Sequence, residues 1–119
     1  MNAVLTPEDI GKKEPAAVRQ DFVMPNRLGL HCRPAALLIN TLKGMVCQVT
    51  VQSGGEAANG RSIFDLMSLA VGYQTKLTVT ITGPDAKKAM TAIQRLFDTK
   101  FADAYDENHP LSHKQMRAF

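Results

Sequence analysis

Apolar and polar residues alternate along several short stretches of the chain, and this alternation predicts its β-strands. The most regular stretch is 76–82, where three aliphatic residues are separated by threonines. A two-residue period is typical of a strand with one buried and one solvated face. The same period, less regular, predicts strands over 17–24 and 46–52 and a short strand over 56–58.

Between these stretches the apolar residues recur every three or four positions, as on one face of a helix. We predict a helix over 32–43, a short helix that begins after Ser62, and a last helix that runs from 83–85 to near Phe101. A proline and an aspartate at the start of the last helix suit a first turn. The order of elements predicts an α+β domain in which three helices cover one face of a four-stranded, largely antiparallel sheet.

Composition and charge bound the class of protein. A chain of 119 residues is long enough to form one domain with its own core. Its net charge is +3, and the basic residues neither form a run nor alternate with aromatic residues, so we expect no nucleic-acid partner. No apolar run approaches the roughly 20 residues of a membrane helix, so we expect no membrane insertion and a cytoplasmic location.

The two cysteines, Cys32 and Cys47, are expected to be free thiols. A chain with no recognisable export signal is not expected to build a disulfide framework. Cys32 follows His31 at the predicted start of a helix, a setting in which thiols can be reactive. Two interpretations stay open for it: a reactive thiol, or a small residue at the rim of a site.

The stretch 29–36, GLHCRPAA, combines a histidine, an arginine two residues later and a proline that fits the first turn of a helix. His31 is therefore predicted at or just before the helix start, where free backbone amides and the helix dipole favour an anion. A largely neutral imidazole there can receive a phosphoryl group, and Arg33 can contact the phosphoryl oxygens. From this spacing alone a second interpretation stays open, in which His31 is an exposed N-cap and Arg33 a solvated charge.

GLHCRPAA resembles the active-site signature of the HPr family, the histidine-containing phosphocarriers of the phosphoenolpyruvate-dependent phosphotransferase system (PTS). The segment 59–69, NGRSIFDLMSL, is similar to the regulatory-serine segment of that family and lies at the expected distance downstream. The resemblance covers about 18–102 and implies the HPr-like open-faced β-sandwich, a four-stranded antiparallel sheet with three helices on one face. We therefore assign an HPr domain to 17–102 and expect 1–16 and 103–119 to be extensions.

The resemblance implies a phosphoryl carrier rather than an enzyme. Enzyme I, itself phosphorylated by phosphoenolpyruvate, would give a phosphoryl group to Nδ1 of His31, and the carrier would pass it to a histidine of an enzyme IIA. Arg33 would stabilise the phosphoryl oxygens. The resemblance implies no cofactor and no metal, and we expect the carrier to be a monomer.

Ser62 precedes a short helix, with Asp65 three positions later, and a serine in this position is first of all a helix cap. The resemblance adds a second interpretation, because the matching serine in HPr proteins of many bacteria is phosphorylated by an ATP-dependent HPr kinase/phosphorylase. A phosphate there would add negative charge at the helix start, repelling an acidic partner without disturbing the fold. Asp65 departs from the family pattern, since relatives often carry a basic or neutral residue at that position.

Four apolar residues around this helix form a candidate docking surface. The residues that match Ile63, Phe64 and Met67 form, in the family, an exposed apolar patch that docks enzyme I and enzyme IIA. Leu37, which we predict on the outer face of the first helix, would extend this patch. Ordinary core packing stays the alternative for each of the four residues.

Two further features depart from the family pattern. Gln74 stands where relatives usually carry glycine, which predicts a different turn or a residue with positive φ. The C-terminal extension holds His109 and His113, four positions apart, but Pro110 lies between them and no acid or thiol is evident nearby. We therefore expect no metal site in this extension.

Two alternative functions stay open. The first is a carrier in the nitrogen-related regulatory branch, without sugar transport, to which LGLHCR and the GPD before the last helix bear some likeness. The second is a non-carrier adaptor that binds a regulator through Ser62 and the apolar patch. The presence of His31 with Arg33 argues against the adaptor, because adaptor relatives have the active histidine replaced.

Overall fold

The computed structural model of the protein describes residues 17–105. The predicted extension 1–16 lies outside the described residues, and so does most of the predicted extension 103–119, including His109 and His113. Within the described part of the chain, no helix is long and apolar enough to cross a membrane.

Within residues 17–105, four strands and three α-helices form in the order that the hydrophobic pattern predicts. The strands are β1 (Val18–Val23), β2 (Gln48–Ser53), β3 (Glu56–Asn59) and β4 (Lys76–Thr82). The helices are α1 (Cys32–Thr41), α2 (Ile63–Ser68) and α3 (Ala86–Asp98), followed by a short 3-10 helix, Ala102–Tyr105. The sequence pattern did not predict the 3-10 helix.

The strands form one antiparallel sheet in the order β1-β4-β2-β3. β4, the strand with the most regular alternation, lies between two neighbours: Leu77 pairs with Phe22 of β1, and Val79 pairs with Val51 of β2. These four side chains are buried, and the threonines between them belong to the opposite face. All three α-helices add residues to the same core, so the predicted open-faced α+β fold is confirmed.

Three phenylalanines connect β1 to the end of α3. Phe22 stacks on Phe97, with ring centroids 4.2 Å apart, and Phe97 meets the edge of Phe101 at 5.0 Å. Phe101 has no solvent exposure. The chain is therefore anchored in the core immediately after α3, before it enters the 3-10 helix.

The turn after α3 uses two consecutive non-glycine residues with positive φ. Lys100 has φ +56° and Phe101 has φ +55°. The Lys100 amide donates to the Phe97 carbonyl (3.1 Å) and the Phe101 amide to the Leu96 carbonyl (2.7 Å), the pattern of a Schellman motif. This turn directs the chain back toward α1, where Ala104 is buried. The 3-10 helix reaches Tyr105, within the stretch 103–119 that the sequence assigns to an extension.

The segment that leads into α1 packs backbone to backbone against the loop between α2 and β4. The Leu30 amide donates to the Val71 carbonyl at 2.8 Å. Gly29 has φ +72°, and a Cβ on it would lie 2.2 Å from the Val71 oxygen. Only glycine satisfies both conditions. The contact fixes the path of the chain immediately before His31.

The same loop contains the predicted departure at Gln74. Its φ is +64°, so the predicted positive φ is confirmed. The Gln74 amide donates to the Met24 carbonyl (2.8 Å), and the Met24 amide donates to the Thr75 carbonyl (2.9 Å). These two bonds join the loop to the end of β1, which stabilises a backbone conformation that costs a non-glycine residue about 1–2 kcal/mol.

Substitution of Gly29 tests how strongly this packing constrains the approach to His31. We expect Gly29→Ala to lower the free energy of unfolding by at least about 1 kcal/mol more than Gly44→Ala, as measured by urea denaturation. Gly44 is the matched control, since its φ is +80° and a Cβ on it would meet nothing within 4 Å. Equal decreases in the free energy of unfolding of the two variants would show that the close approach of Gly29 to Val71 does not affect stability.

Candidate functional site

The candidate site lies where the chain enters α1. His31 is the N-cap of this helix, with an extended backbone (φ −90°, ψ −167°), and the helix begins at Cys32 as the position of Pro34 predicts. The His31 carbonyl accepts from the Ala35 amide at 3.0 Å, while its side chain makes no cap hydrogen bond to the helix. The imidazole is thus left available for other contacts.

The His31 ring is partly exposed and has a single hydrogen-bond partner among residues 17–105. Its Nε2 lies 2.7 Å from the hydroxyl oxygen of Tyr105, at the end of the 3-10 helix. The two ring centroids are 6.0 Å apart, with planes inclined at 46°. Because Nε2 is engaged and Nδ1 has no hydrogen-bond partner in the described part of the chain, the two ring nitrogens are not equivalent.

Arg33 brings a permanent positive charge to this site. Its guanidinium carbon lies 5.8 Å from the centroid of the Tyr105 ring, within the range of a cation–π interaction. Burial lowers the pKa of His31 below its ordinary value, and the charge of Arg33 lowers it further. The imidazole is therefore predominantly neutral at pH 7. The largely neutral imidazole that the sequence predicts is explained first by burial.

Tyr105 is the functional candidate that sequence reasoning missed. Burial raises the pKa of its hydroxyl above the ordinary value, although the positive charge of Arg33 acts in the opposite direction. Tyr105 is therefore a hydroxyl and not a phenolate near neutral pH. It follows His31 by 74 residues, in a segment that the sequence analysis assigned to an extension, so no local pattern connected the two side chains.

Ser62 is the N-cap of α2, as predicted. Its hydroxyl accepts from the Asp65 amide at 3.3 Å. The Asp65 carboxylate accepts from the Asn59 amide at 3.2 Å, whereas in a capping box it would accept from the amide of Ser62 itself. Asp65 therefore stabilises the turn before α2, and the Ser62 side chain is partly exposed.

Arg61 holds the segment before Ser62 against the loop between α1 and β2. Its guanidinium donates to the carbonyls of Leu42 (3.0 Å), Met45 (2.6 Å) and Cys47 (3.2–3.3 Å). Hydrogen bonds from a charged donor to backbone carbonyls are stronger than neutral ones. The start of α2 is thereby fixed relative to the end of α1, an arrangement that the sequence analysis did not predict.

The predicted docking surface is partly corrected by the structure. Phe64 is 81% exposed and Met67 is 44% exposed, and Ile63 is partly buried against the core. Leu37 is only 3% exposed and belongs to the core, so its predicted position on an outer face was wrong. The reason is that α1 contacts α2, α3 and the unpredicted 3-10 helix, and is therefore covered on more sides than its periodicity indicated.

The two cysteines are free thiols, as predicted. The Cys47 sulfur lies 3.3 Å from Nη2 of Arg61, and Cys32 is partly exposed beside His31. Within residues 17–105, no group of three or more His, Cys, Asp or Glu side chains is arranged to hold a metal ion.

Sequence comparisons match this fold and this site to known proteins. A family model described as "PTS HPr component phosphorylation site" matches residues 18–99. Over 78 residues the chain is 35% identical to the phosphocarrier protein HPr of Treponema pallidum, a match that covers 66% of this chain and 89% of that protein. The chain is also 36% identical, over 94 residues, to the multiphosphoryl transfer protein of Salmonella typhimurium, of which the match covers 24%.

Solved structures give the same result. The chain is similar to HPr-C-His from Thermoanaerobacter tengcongensis, with 30% identity and a TM-score of 0.69 over 71% of this chain and 96% of that one. A second structure from that bacterium, described as an HPr dimer, has 32% identity and a TM-score of 0.57 over 67% of this chain and 92% of that one. The monomeric state expected of the present chain stays a prediction.

The open-faced sandwich and the matched segment, which contains both His31 and Ser62, define an HPr-type phosphocarrier. The chain belongs to the HPr family of the PTS, whose members are phosphocarriers and not catalytic enzymes.

The charge of Arg33 gives a testable effect on the titration of His31. We expect Arg33→Gln to raise the pKa of the His31 ring, because a like charge is removed, and to leave it below the ordinary value of about 6.5, because burial persists. Proton NMR titration of the ring resonances measures the pKa, with His31→Gln assigning the signal. Arg19→Gln, on β1, is the control and is expected to leave the pKa unchanged. A fall of the pKa in Arg33→Gln would contradict the electrostatic role of Arg33.

Proposed function

We infer that the protein is a cytoplasmic phosphoryl relay in which His31 receives a phosphoryl group from phosphorylated enzyme I and passes it to an enzyme IIA. The observation that carries this proposal is the His31 side chain itself. It is a partly exposed, predominantly neutral imidazole at the N-terminus of a ten-residue helix, and its Nδ1 has no hydrogen-bond partner among residues 17–105. A neutral ring nitrogen in this setting is a competent nucleophile toward phosphorus.

The same helix start carries groups that can stabilise a phosphoryl group. The first backbone amides of α1, from Cys32 and Arg33, have no acceptor within the helix, and the helix dipole is positive at this end. The Arg33 guanidinium is permanently charged and presents several donors to phosphoryl oxygens. Phosphoryl transfer depends chiefly on alignment and on neutralisation of charge, so a small exposed site of this kind suffices for a carrier.

The partners of the relay dock, in this proposal, on a surface formed by the exposed side chains of Phe64 and Met67, with Ile63 at its buried edge. α2 packs directly against α1, the helix that carries His31 at its start. Phe64 is 81% exposed and Met67 44% exposed on the same short helix, and neighbouring exposed apolar side chains are typical of a binding surface. Leu37 is excluded from this surface because it is buried.

Ser62 is proposed as a regulatory phosphorylation site. Its hydroxyl is partly exposed at the start of α2, immediately before Ile63 and Phe64. A phosphate there would place about −1.5 to −2 charges beside the docking surface, where Asp65 already carries one negative charge.

Incubation with HPr kinase/phosphorylase and ATP tests this proposal. We expect the unsubstituted protein to take an acid-stable label and Ser62→Ala to take none.

Labelling by enzyme I tests the relay directly. We expect the full chain to take an acid-labile label from phosphoenolpyruvate in the presence of enzyme I, because phosphohistidine is hydrolysed in acid. His31→Ala should abolish this label while its circular dichroism and thermal unfolding stay those of the unsubstituted protein. An acid-labile label that persists in His31→Ala would refute the assignment.

Truncation of Phe64 tests the docking surface. We expect Phe64→Ala to raise the KM of enzyme I for the carrier about tenfold, because loss of an aromatic anchor from an interface costs about 1–2 kcal/mol. Val46→Ala is the matched control: Val46 is 64% exposed, in the loop before β2, at the opposite end of α1 from His31. If the two variants have the same KM, Phe64 is not part of the docking surface.

A further inference from the structure

Tyr105 makes a specific contact with the histidine, although it lies outside the segment that the family model matches. That segment ends at residue 99, and the tyrosine follows at the end of the 3-10 helix. Its hydroxyl oxygen is 2.7 Å from Nε2 of His31, and its ring lies 5.8 Å from the Arg33 guanidinium carbon. One side chain therefore contacts both residues to which the relay is assigned.

The turn between α3 and the 3-10 helix places Tyr105 in this position. Lys100 and Phe101 both have positive φ, a conformation that costs a non-glycine residue energy and persists only where the surrounding structure enforces it. The enforcing contacts are present: Phe101 is fully buried, and the side-chain amide of Asn26 donates to the Lys100 carbonyl at 2.8 Å. Asn26 belongs to the loop that leads from β1 to His31, so this bond joins the two segments that hold His31 and Tyr105.

The two nitrogens of an imidazole compete for a phosphoryl group, and a protein selects one by engaging the other. A hydroxyl at 2.7 Å from Nε2 leaves no room for phosphorus to approach that nitrogen. If Nε2–H donates to the tyrosine oxygen, the lone pair of the neutral ring is on Nδ1. Both effects direct the reaction to Nδ1.

We propose that Tyr105 is a positioning residue: its hydroxyl blocks access to Nε2 of His31 and thereby selects Nδ1 as the phosphoryl acceptor. This proposal rests on the proposed relay and adds to it the residue that determines the site of phosphorylation on the ring. Tyr105 contacts no reacting atom and acts through the orientation and tautomer of His31.

In the resulting step the Nδ1 lone pair forms a bond to phosphorus. The bond from phosphorus to the donor atom of phosphorylated enzyme I breaks, and its electron pair stays on that donor atom. The proton on Nε2 stays in place, hydrogen bonded to the oxygen of Tyr105. That oxygen disperses the positive charge that the His31 ring acquires as the new bond forms.

Chemical phosphorylation with potassium phosphoramidate tests the proposal without any PTS partner. The full chain and its variants are labelled, digested at alkaline pH, and the peptide that contains His31 is analysed for its two phosphohistidine isomers. We expect the unsubstituted protein to carry the Nδ1 isomer in large excess. In Tyr105→Phe, which keeps the ring over Arg33 and removes only the hydroxyl, the ratio of Nδ1 to Nε2 isomer should fall about tenfold. 

Tyr73→Phe is the matched control, because Tyr73 is the other tyrosine of the chain and is exposed in the loop between α2 and β4. It should keep the isomer ratio of the unsubstituted protein. An unchanged ratio in Tyr105→Phe, or predominant Nε2 labelling of the unsubstituted protein, would overturn the proposal.

Nitrogen-15 NMR of the His31 ring gives a second readout that needs no phosphorylation. The unsubstituted protein should show a protonated Nε2 and an unprotonated Nδ1, and Tyr105→Phe should shift both signals toward a mixture of tautomers. Identical spectra would overturn the proposal even if phosphoramidate failed to react. The two proposals can fail separately. If the unsubstituted protein takes no label from enzyme I but Tyr105→Phe still changes the isomer ratio and the tautomer, the relay is refuted and the role of Tyr105 is supported.

Discussion

The structure depends on one close contact between two backbones. Gly29 and Leu30 lie directly against Val71, with the Leu30 amide hydrogen bonded to the Val71 carbonyl and no room for a Cβ on Gly29. This contact sets the direction in which the chain enters α1, and therefore the position of His31. A shift of this contact would displace the imidazole relative to the start of α1 and to Tyr105. Positioning of this kind is what phosphoryl transfer requires most.

Three segments that are distant in sequence meet around the histidine. The loop after β1 supplies Asn26, the start of α1 supplies His31 and Arg33, and the 3-10 helix supplies Tyr105. Burial, together with the charge of Arg33, keeps the imidazole predominantly neutral. The same packing leaves the ring partly exposed. The site thus combines a lowered pKa of His31 with access for a partner. A deeper pocket would also lower this pKa, but it would block the partner.

The second region to which we assign a function, at the start of α2, is organised around Arg61. Its three backbone carbonyl acceptors, on Leu42, Met45 and Cys47, fix the end of α1 relative to Ser62. A helix of six residues has little stability of its own, so such external bonds are needed to hold it. Ser62 and Phe64 are therefore held in a fixed position relative to α1, as the proposed regulation of docking requires.

The sequence determined those features that depend on neighbours along the chain: the alternation of β4, the helix start marked by Pro34 and the Ser62 cap. Each follows from local sterics or hydrogen bonding, so the element order and the position of His31 were predictable. The burial of Leu37 and the contact of Tyr105 with His31 were decided only by the tertiary structure. Both result from α3 and the turn after it folding back over α1, and side chains separated by 74 residues leave no periodic signal of their contact.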